Sequence, residues 1–178
     1  MSEMLEKARN YETEKQVYVK KTTKPLFHVT APTGWINDPN GFSVYDGKIH
    51  LFYQYNPYQR EWGPMHWGHS VTDDMVRWEQ LPAAIAPDQE YDKAGCFSGS
   101  AIEEDGKMQL YYTGVNYLTE NPEDINLCVD EHFVSAQLMI TSEDGIHFDN
   151  IKDKKTVIPV IHDADIGDAR HTRDPKVW

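Results

Sequence analysis

The sequence is poor in cysteine and has no long apolar run. Cys96 and Cys128 are the only cysteines among 178 residues, and they form no CxxC pair. We interpret both as free thiols of a reducing compartment rather than as a disulfide. No apolar stretch approaches the roughly 18 residues of a membrane span, and the N-terminus lacks the apolar core of a signal peptide. We therefore expect a cytoplasmic chain without a membrane partner.

Positive charge is also scarce. The chain carries 17 lysine and arginine residues against 29 aspartate and glutamate residues, a net charge of −12. This balance argues against nucleic acids and anionic membranes as partners and favours a small, locally recognised ligand. Hydrophobic residues make up 39% and aromatic residues 12%, so the chain can bury one core, and its aromatic faces suit the stacking of sugars or bases.

The pattern of apolar residues divides the chain in two. In residues 1–24, Met4, Leu5, Ala8 and Tyr11 follow helical spacing, which predicts a short helical extension. From residue 25 to 178, short aromatic and β-branched runs alternate with Asp-Gly pairs at 46–47, 105–106 and 144–145. Asp-Gly between such runs is typical of β-hairpins. The expected fold class is all-β with a short N-terminal helix.

Two of these hairpins repeat one another. The segments "YDGKIHLFYQY" and "EDGKMQLYYTG" align, and so do the following segments "GHSVTDDMVRWEQL" and "AQLMITSEDGIHFDNI". A recurring unit of four short strands favours β-propeller blades over a sandwich. We place blade one at about 37–80, blade two at about 97–150, and the first strand of a third blade near Arg173. Asp38, Ser98 and Asp174 then begin the innermost strands and converge on the central channel.

Two carboxylates facing one pocket fit glycoside hydrolysis, in which one carboxylate attacks or stabilises the anomeric carbon. Taken alone, the aspartate of "WINDPNG" could be a turn residue, and that of "RDPKVW" an ordinary Arg–Asp pair. Pro39 biases Asp38 towards extended backbone and limits its movement. Arg173 beside Asp174 predicts a lowered pKa for that carboxyl and a permanent charge. Asp174 is then a poor proton donor and a suitable stabiliser of positive charge.

Five ordered motifs, "WINDPNG", "FYQYNP", "WGHSVTDDMVRWEQLPAAIAPD", "GCFSGSA" and "RDPKVW", resemble glycoside hydrolase family 32, from about residue 25 to 178. The resemblance implies a five-bladed β-propeller that cleaves β-D-fructofuranosides with retention and without a metal or other cofactor. Asp38 matches the nucleophile that forms a covalent fructosyl-enzyme, and Asp174 matches the transition-state stabiliser. The positions that match the substrate pocket are Asn37, Gln54, Trp62, Phe97, Ser98 and Arg173.

The sequence also departs from the family pattern. The acid/base of the family is a glutamate in a Glu-Cys motif downstream of Arg-Asp-Pro, and no Glu-Cys dipeptide occurs here. We therefore expect residues 25–178 to be the N-terminal part of the propeller domain, without its later blades and C-terminal β-sandwich. The main hypothesis is hydrolysis of sucrose 6-phosphate, sucrose or a short fructan. The alternatives are an inactive remnant that binds fructosides and a glycosidase acting on another furanoside such as an arabinoside. The oligomeric state stays open.

Three further features have simpler interpretations than binding sites. His66 and His69 lie three residues apart, which places them on opposite faces of a strand, so we expect structural histidines rather than a metal site. The stretch "DADIGD" at 163–168 has its glycine at the wrong position for a calcium loop and is interpreted as a solvated acidic loop. Three lysines form a surface run: Lys20, Lys21 and Lys24.

Overall fold

The computed structural model describes residues 1–124, 127–148 and 151–178, and the side chain of Lys21 is not described. Helix α1 spans Glu3–Lys15. The eight strands are β1 (Trp35–Tyr45), β2 (Lys48–Asn56), β3 (His66–Thr72), β4 (Glu79–Ile85), β5 (Gly95–Glu104), β6 (Lys107–Tyr117), β7 (Phe133–Ser142) and β8 (Lys155–Ile158). Within the described ranges, short 3-10 helices cover Gln16–Tyr18, Lys21–Thr23, Val129–Glu131 and Ile151–Asp153.

The strands form two antiparallel four-stranded sheets, with the orders β1-β2-β3-β4 and β5-β6-β7-β8. The all-β class and the repeated four-stranded unit are therefore confirmed. The predicted limits were too narrow, since the first sheet reaches Ile85 and the second runs from Gly95 to Ile158. The prediction of a third-blade strand was wrong, because residues 173–178 have no strand assignment.

Tight turns connect the paired strands of both sheets. Asp46 and Gly47 join β1 to β2 with φ of 47° and 74°, and Asp105 and Gly106 join β5 to β6 with φ of 52° and 71°. Positive φ at both central residues is the geometry that matches strand twist in two-residue hairpins. Asp144 does not form such a hairpin, since β8 begins only at Lys155. Its carboxylate instead accepts hydrogen bonds from the backbone of residues 146 and 147.

The two sheets pack against each other around an apolar core. Large side chains of the first sheet meet those of the second, as where the Trp67 and Tyr112 rings lie 6.1 Å apart. Fully buried members of this core include Phe52, Trp67, Met108, Leu110, Tyr112 and Ile140. Burial of each such side chain contributes on the order of 2 kcal/mol. This packing fixes β1 beside β5, the two strands that carry the candidate site.

Helix α1 covers the other face of the first sheet. Ser2 caps it, since its hydroxyl accepts the N–H of Leu5 at 3.2 Å. Leu5 and Ala8 are buried against Tyr53 and Tyr55, as the helical spacing predicted, whereas Met4 is exposed. In the described ranges, no helix is long and apolar enough to cross a bilayer.

A buried charge cluster ties the start of β8 to the link between the sheets. Lys154 Nζ donates to Asp88 Oδ1 at 2.6 Å, to Asp92 Oδ2 at 2.7 Å and to the carbonyl of Ala86 at 2.7 Å. All three charged side chains are at most 6% exposed. Burial disfavours the charged amine, but the negative groups around it outweigh this effect and raise the pKa of Lys154. Asp92 also accepts the Tyr112 hydroxyl at 2.8 Å.

The two histidines of β3 lie on opposite faces of the strand, as predicted. His69 stacks on Phe52 between the sheets, with ring centroids 4.1 Å apart, and its Nε2 meets His50 Nδ1 at 2.9 Å. His66 lies edge-on to Tyr58 on the outer face. Among the described residues, no group of three histidine, cysteine or acidic side chains is arranged to hold a metal ion.

Candidate active site

Asp38 lies at a bulge in strand β1. Ile36 pairs with Tyr55 and Pro39 with Tyr53, so two residues of β1, Asn37 and Asp38, oppose one residue of β2. A bulge of this kind turns side chains away from the regular alternation of a strand and is frequent beside active sites. Pro39 supports it because a proline has no N–H to contribute to the ladder. The Asp38 carboxylate is thereby placed in solvent at the sheet surface.

Strand β5 carries the equivalent bulge. Cys96 pairs with Gly114 and Gly99 with Tyr112, which leaves Phe97 and Ser98 opposite one residue of β6. The Ser98 hydroxyl donates to Asp38 Oδ2 at 3.1 Å. The repeat inferred from sequence therefore places Ser98 and Asp38 in corresponding positions and in direct contact.

Asp174 reaches the same region through an irregular segment. Its φ is 60°, a conformation that is uncommon outside glycine and that aspartate tolerates better than most residues. Its backbone N–H donates to Thr113 Oγ1 at 2.8 Å, and the Arg173 Nε atom lies 3.7 Å from its Oδ2. The backbone N–H groups of Asp174 and Val177 donate to side chains of β6 and β5 rather than to a neighbouring strand.

The prediction of a lowered pKa for Asp174 was wrong. Partial burial raises the pKa of this carboxyl, the Arg173 guanidinium lowers it, and the nearby negative charge of Asp38 raises it again, with a net increase. The Arg173 contact is long and both side chains are about half exposed, so the cation does not outweigh the other two effects. The contribution of Asp38 indicates that the two carboxyls lie near enough to interact electrostatically.

The other predicted pocket residues lie on or beside the two bulged strands and differ in burial. The side-chain Oδ1 atom of Asn37 accepts a hydrogen bond from Trp35 Nε1 at 2.9 Å. Gln54, which is 3% exposed, donates through Nε2 to the Cys96 carbonyl at 2.9 Å and so connects the two bulges from below. The half-buried Trp62 ring stands edge-on to Phe97, with centroids 5.8 Å apart.

The polar residues that hold the segment bearing Asp174 were not among the residues predicted from the sequence. The Gln137 amide donates to the Thr172 carbonyl at 2.7 Å, and the Ser135 hydroxyl donates to the Arg170 carbonyl at 2.8 Å. The Ser100 hydroxyl donates to the Pro175 carbonyl at 2.9 Å. Gln137, Ser135 and Ser100 are all at most 5% exposed. The sequence feature that could have indicated them is the presence of polar residues at alternate positions of a buried strand, as in β7.

Comparison with known proteins agrees with this geometry. Residues 28–178 match the model of the glycosyl hydrolases family 32 N-terminal domain, and the chain belongs to this family of glycoside hydrolases.

Three similar proteins illustrate the relationship. The sucrose-6-phosphate hydrolase of Zymomonas mobilis is 46% identical over 155 residues, 86% of this chain and 28% of its own. The raffinose invertase of Escherichia coli is 40% identical over 157 residues, 88% of this chain and 30% of its own. The Bombyx mori β-fructofuranosidase, also solved as a variant with sucrose, superposes with a TM-score of 0.72 at 32% identity, over 97% of this chain and 33% of its own. The chain thus spans about a third or less of the length of these relatives.

Proposed function

We propose that this chain supplies the nucleophile and the charge-stabilising carboxylate of an enzyme that hydrolyses terminal β-D-fructofuranosides with retention. The substrates we infer are sucrose 6-phosphate and sucrose. The supporting observation is the placement of Asp38 at a bulge, in contact with Ser98 and within the electrostatic reach of Asp174. Family membership and the names of the relatives support the reaction class.

The two sheets are, in this proposal, the first two blades of a five-bladed β-propeller. They share strand order, hairpin turns and the bulge on the first strand. The residue opposite each bulge makes a polar contact outside its own sheet: Gln54 reaches Cys96, and Thr113 reaches Asp174. A repeated contact of this kind supports a ring of units around a shared channel.

The reaction begins at the Asp38 carboxylate. Ser98 binds Oδ2, which leaves Oδ1 to attack the anomeric carbon of the fructosyl unit. The bond from this carbon to the leaving oxygen breaks, and that oxygen takes a proton from a general acid. Water then attacks the same carbon, loses its proton to the conjugate base and releases Asp38, so that two inversions give net retention. Asp174 and Arg173 bind sugar hydroxyls, and the negative charge of the Asp174 carboxylate offsets the positive charge of the ring.

An aromatic wall completes the pocket on one side. Trp62 and Phe97 meet edge to face beside Ser98, and their apolar surfaces suit the faces of a sugar ring. Gln54 links the two bulged strands through the Cys96 carbonyl, and Asn37 lies in the bulge of β1 beside Asp38. We assign these residues to substrate binding and positioning.

The proton donor of the proposed reaction is the glutamate of a Glu-Cys motif, which this sequence does not contain. We therefore infer that activity requires an intact enzyme that carries this chain. The missing motif favours a second candidate for the 178 residues by themselves, a fructoside-binding unit without turnover. Purified chain should release no fructose from sucrose, and clear turnover would contradict the assignment of the proton donor.

The nucleophile is tested by Asp38→Asn in the intact enzyme. We expect sucrose hydrolysis to fall by at least about 10³-fold in kcat, because the amide cannot form the ester intermediate. Asp46→Asn is the matched control, since Asp46 lies in an exposed hairpin turn whose conformation asparagine adopts readily. If the Asp38 variant retains sucrose hydrolysis, the nucleophile is assigned wrongly.

A further inference from the structure

A cavity of about 470 Å³ lies outside the Asp38 site. Its walls include the end of α1, the segment from residue 16 to 23 with its two 3-10 helices, the residues just before β1, and the loop from residue 57 to 60. Pockets that bind small molecules commonly have volumes of about 300–1,000 Å³. The cavity is therefore large enough for a monosaccharide with one attached group.

The lining of this cavity has the opposite charge to the rest of the protein. Three cationic residues, Lys15, Lys20 and Arg60, contribute to it, and no acidic residue does, although the chain carries 29 acidic residues against 17 basic ones. Lys15 Nζ is bonded to Glu14 at 2.5 Å. In the part of the chain that the structure describes, Lys20 and Arg60 have no ion-pair partner. The cavity thus offers two uncompensated cations to an anionic ligand.

Tyrosines form the remaining wall. The Tyr11 and Tyr58 rings meet edge to face with centroids 5.1 Å apart, and Tyr18 is largely exposed. Within the described residues, the buried Tyr58 hydroxyl has no hydrogen-bond partner. Tyrosine rings beside cations suit a ligand that combines a sugar face with an anionic group.

The cavity lies close in sequence and structure to the strand that carries Asp38. Gly34, one of its lining residues, directly precedes β1, and Asp38 lies four residues further on. At the rise of an extended strand this separation is roughly 13 Å. Arg60 lies two residues before Trp62, whose ring contacts Phe97 at the candidate site. A phosphorylated disaccharide is about long enough to reach from one place to the other.

We propose that this cavity binds the phosphate monoester of a sugar phosphate, with Arg60 and Lys20 as its main ligands. A guanidinium can donate two parallel hydrogen bonds to a phosphate, and a lysine adds a point charge. The phosphoryl group has two possible sources. It belongs either to a substrate whose fructosyl unit lies at Asp38, which rests on the proposed function, or to a separate sugar phosphate, which does not.

Calorimetric titration of the 178-residue chain tests the site directly. Glucose 6-phosphate should bind and glucose should not, and Arg60→Gln should weaken glucose 6-phosphate binding about 10-fold or more. Lys155→Gln removes the same charge from exposed strand β8 and should leave binding unchanged. Equal loss in both variants, or equal affinity for glucose and its phosphate, would overturn the proposal. Circular dichroism of each variant verifies the fold.

Kinetics of the intact enzyme distinguish the two sources. If the phosphoryl group belongs to the substrate, Arg60→Gln lowers kcat/KM for sucrose 6-phosphate about 10-fold and leaves sucrose unaffected. If it belongs to a separate ligand, the ratio of the two kcat/KM values stays constant although glucose 6-phosphate binding is lost. Asp38→Asn separates this proposal from the proposed function, because it should abolish hydrolysis and leave glucose 6-phosphate binding intact.

Discussion

His66 gives the protein a defined sensitivity to acid. Its side chain is 0% exposed, and its Nδ1–H donates to the Pro64 carbonyl at 2.8 Å. The Nε2 atom is buried, and no partner for it exists among the described residues. Protonation would place an unpaired N–H and a positive charge in this position. Burial therefore lowers the pKa of His66 from its ordinary 6.5 to about 4, and the Pro64 hydrogen bond offsets only part of this effect.

The size of the effect follows from the difference between the folded and unfolded states. The unfolded chain takes up a proton near pH 6.5 and the folded chain only near pH 4, so the unfolded state binds more protons between these values. Proton uptake at His66 therefore does not reduce the free energy of unfolding above pH 6.5, and it reduces this free energy progressively as the pH falls towards 4. One pKa unit corresponds to about 1.4 kcal/mol, which gives a loss of about 2 kcal/mol at pH 5 and about 3 kcal/mol in total.

Urea unfolding at pH 7.5 and pH 5 measures this loss. His50 and His69 also have lowered pKa values because of burial, so the contribution of His66 is the difference from His66→Asn, in which the amide can still donate to Pro64. Lowering the pH from 7.5 to 5 should reduce the free energy of unfolding of the wild type by about 2 kcal/mol more than that of His66→Asn. The exposed His162→Asn is the control.

A difference between the wild type and His66→Asn that is independent of pH would refute this reasoning. Titration of the His66 ring by NMR in the wild-type chain provides a second measurement that does not depend on the variant. A pKa near 4 is expected there, and a pKa of 6.5 would show that burial does not perturb this ring.

Two further substitutions test other parts of the structure. Lys154→Met should lower the free energy of unfolding in urea by about 3–5 kcal/mol, because it leaves two buried carboxylates without their cation, whereas Lys155→Met at the neighbouring exposed position should change it by less than about 0.5 kcal/mol. Equal effects would contradict the buried cluster. Ser98→Ala in the intact enzyme should reduce kcat on sucrose by about 10–100-fold, because it removes the hydrogen bond to the Asp38 carboxylate, and an unchanged kcat would show that this bond is not used.

Local and repeated features of the fold could be predicted from the sequence. Asp-Gly pairs between aromatic and β-branched runs indicated both tight hairpins, because few residues adopt positive φ readily. The repeat then indicated that Asp38 and Ser98 occupy corresponding positions, and the structure brings them to 3.1 Å. The roles of these residues in a reaction remain proposals, which rest on family membership and on the placement of the two bulges.

Features that depend on distant residues could not be predicted. The Lys154 cluster joins residues more than 60 positions apart, and no local pattern marks such a contact. The pKa of Asp174, which was predicted to be lowered and is raised, depends on distant residues in the same way. Its neighbour Arg173 is visible in the sequence, whereas its partial burial and the nearby Asp38 charge depend on the tertiary structure. The path of residues 169–177 likewise depends on side chains of three other strands.

The covalent intermediate on Asp38 is the central claim of the proposed mechanism. Rapid acid quenching of the intact enzyme during turnover of sucrose, followed by proteolysis and mass spectrometry, detects it directly. The peptide containing Asp38 should gain the mass of one anhydrohexose, and this gain should disappear in Asp38→Asn. A fructosyl group found on a different residue, or turnover with inversion at the anomeric carbon, would contradict the claim.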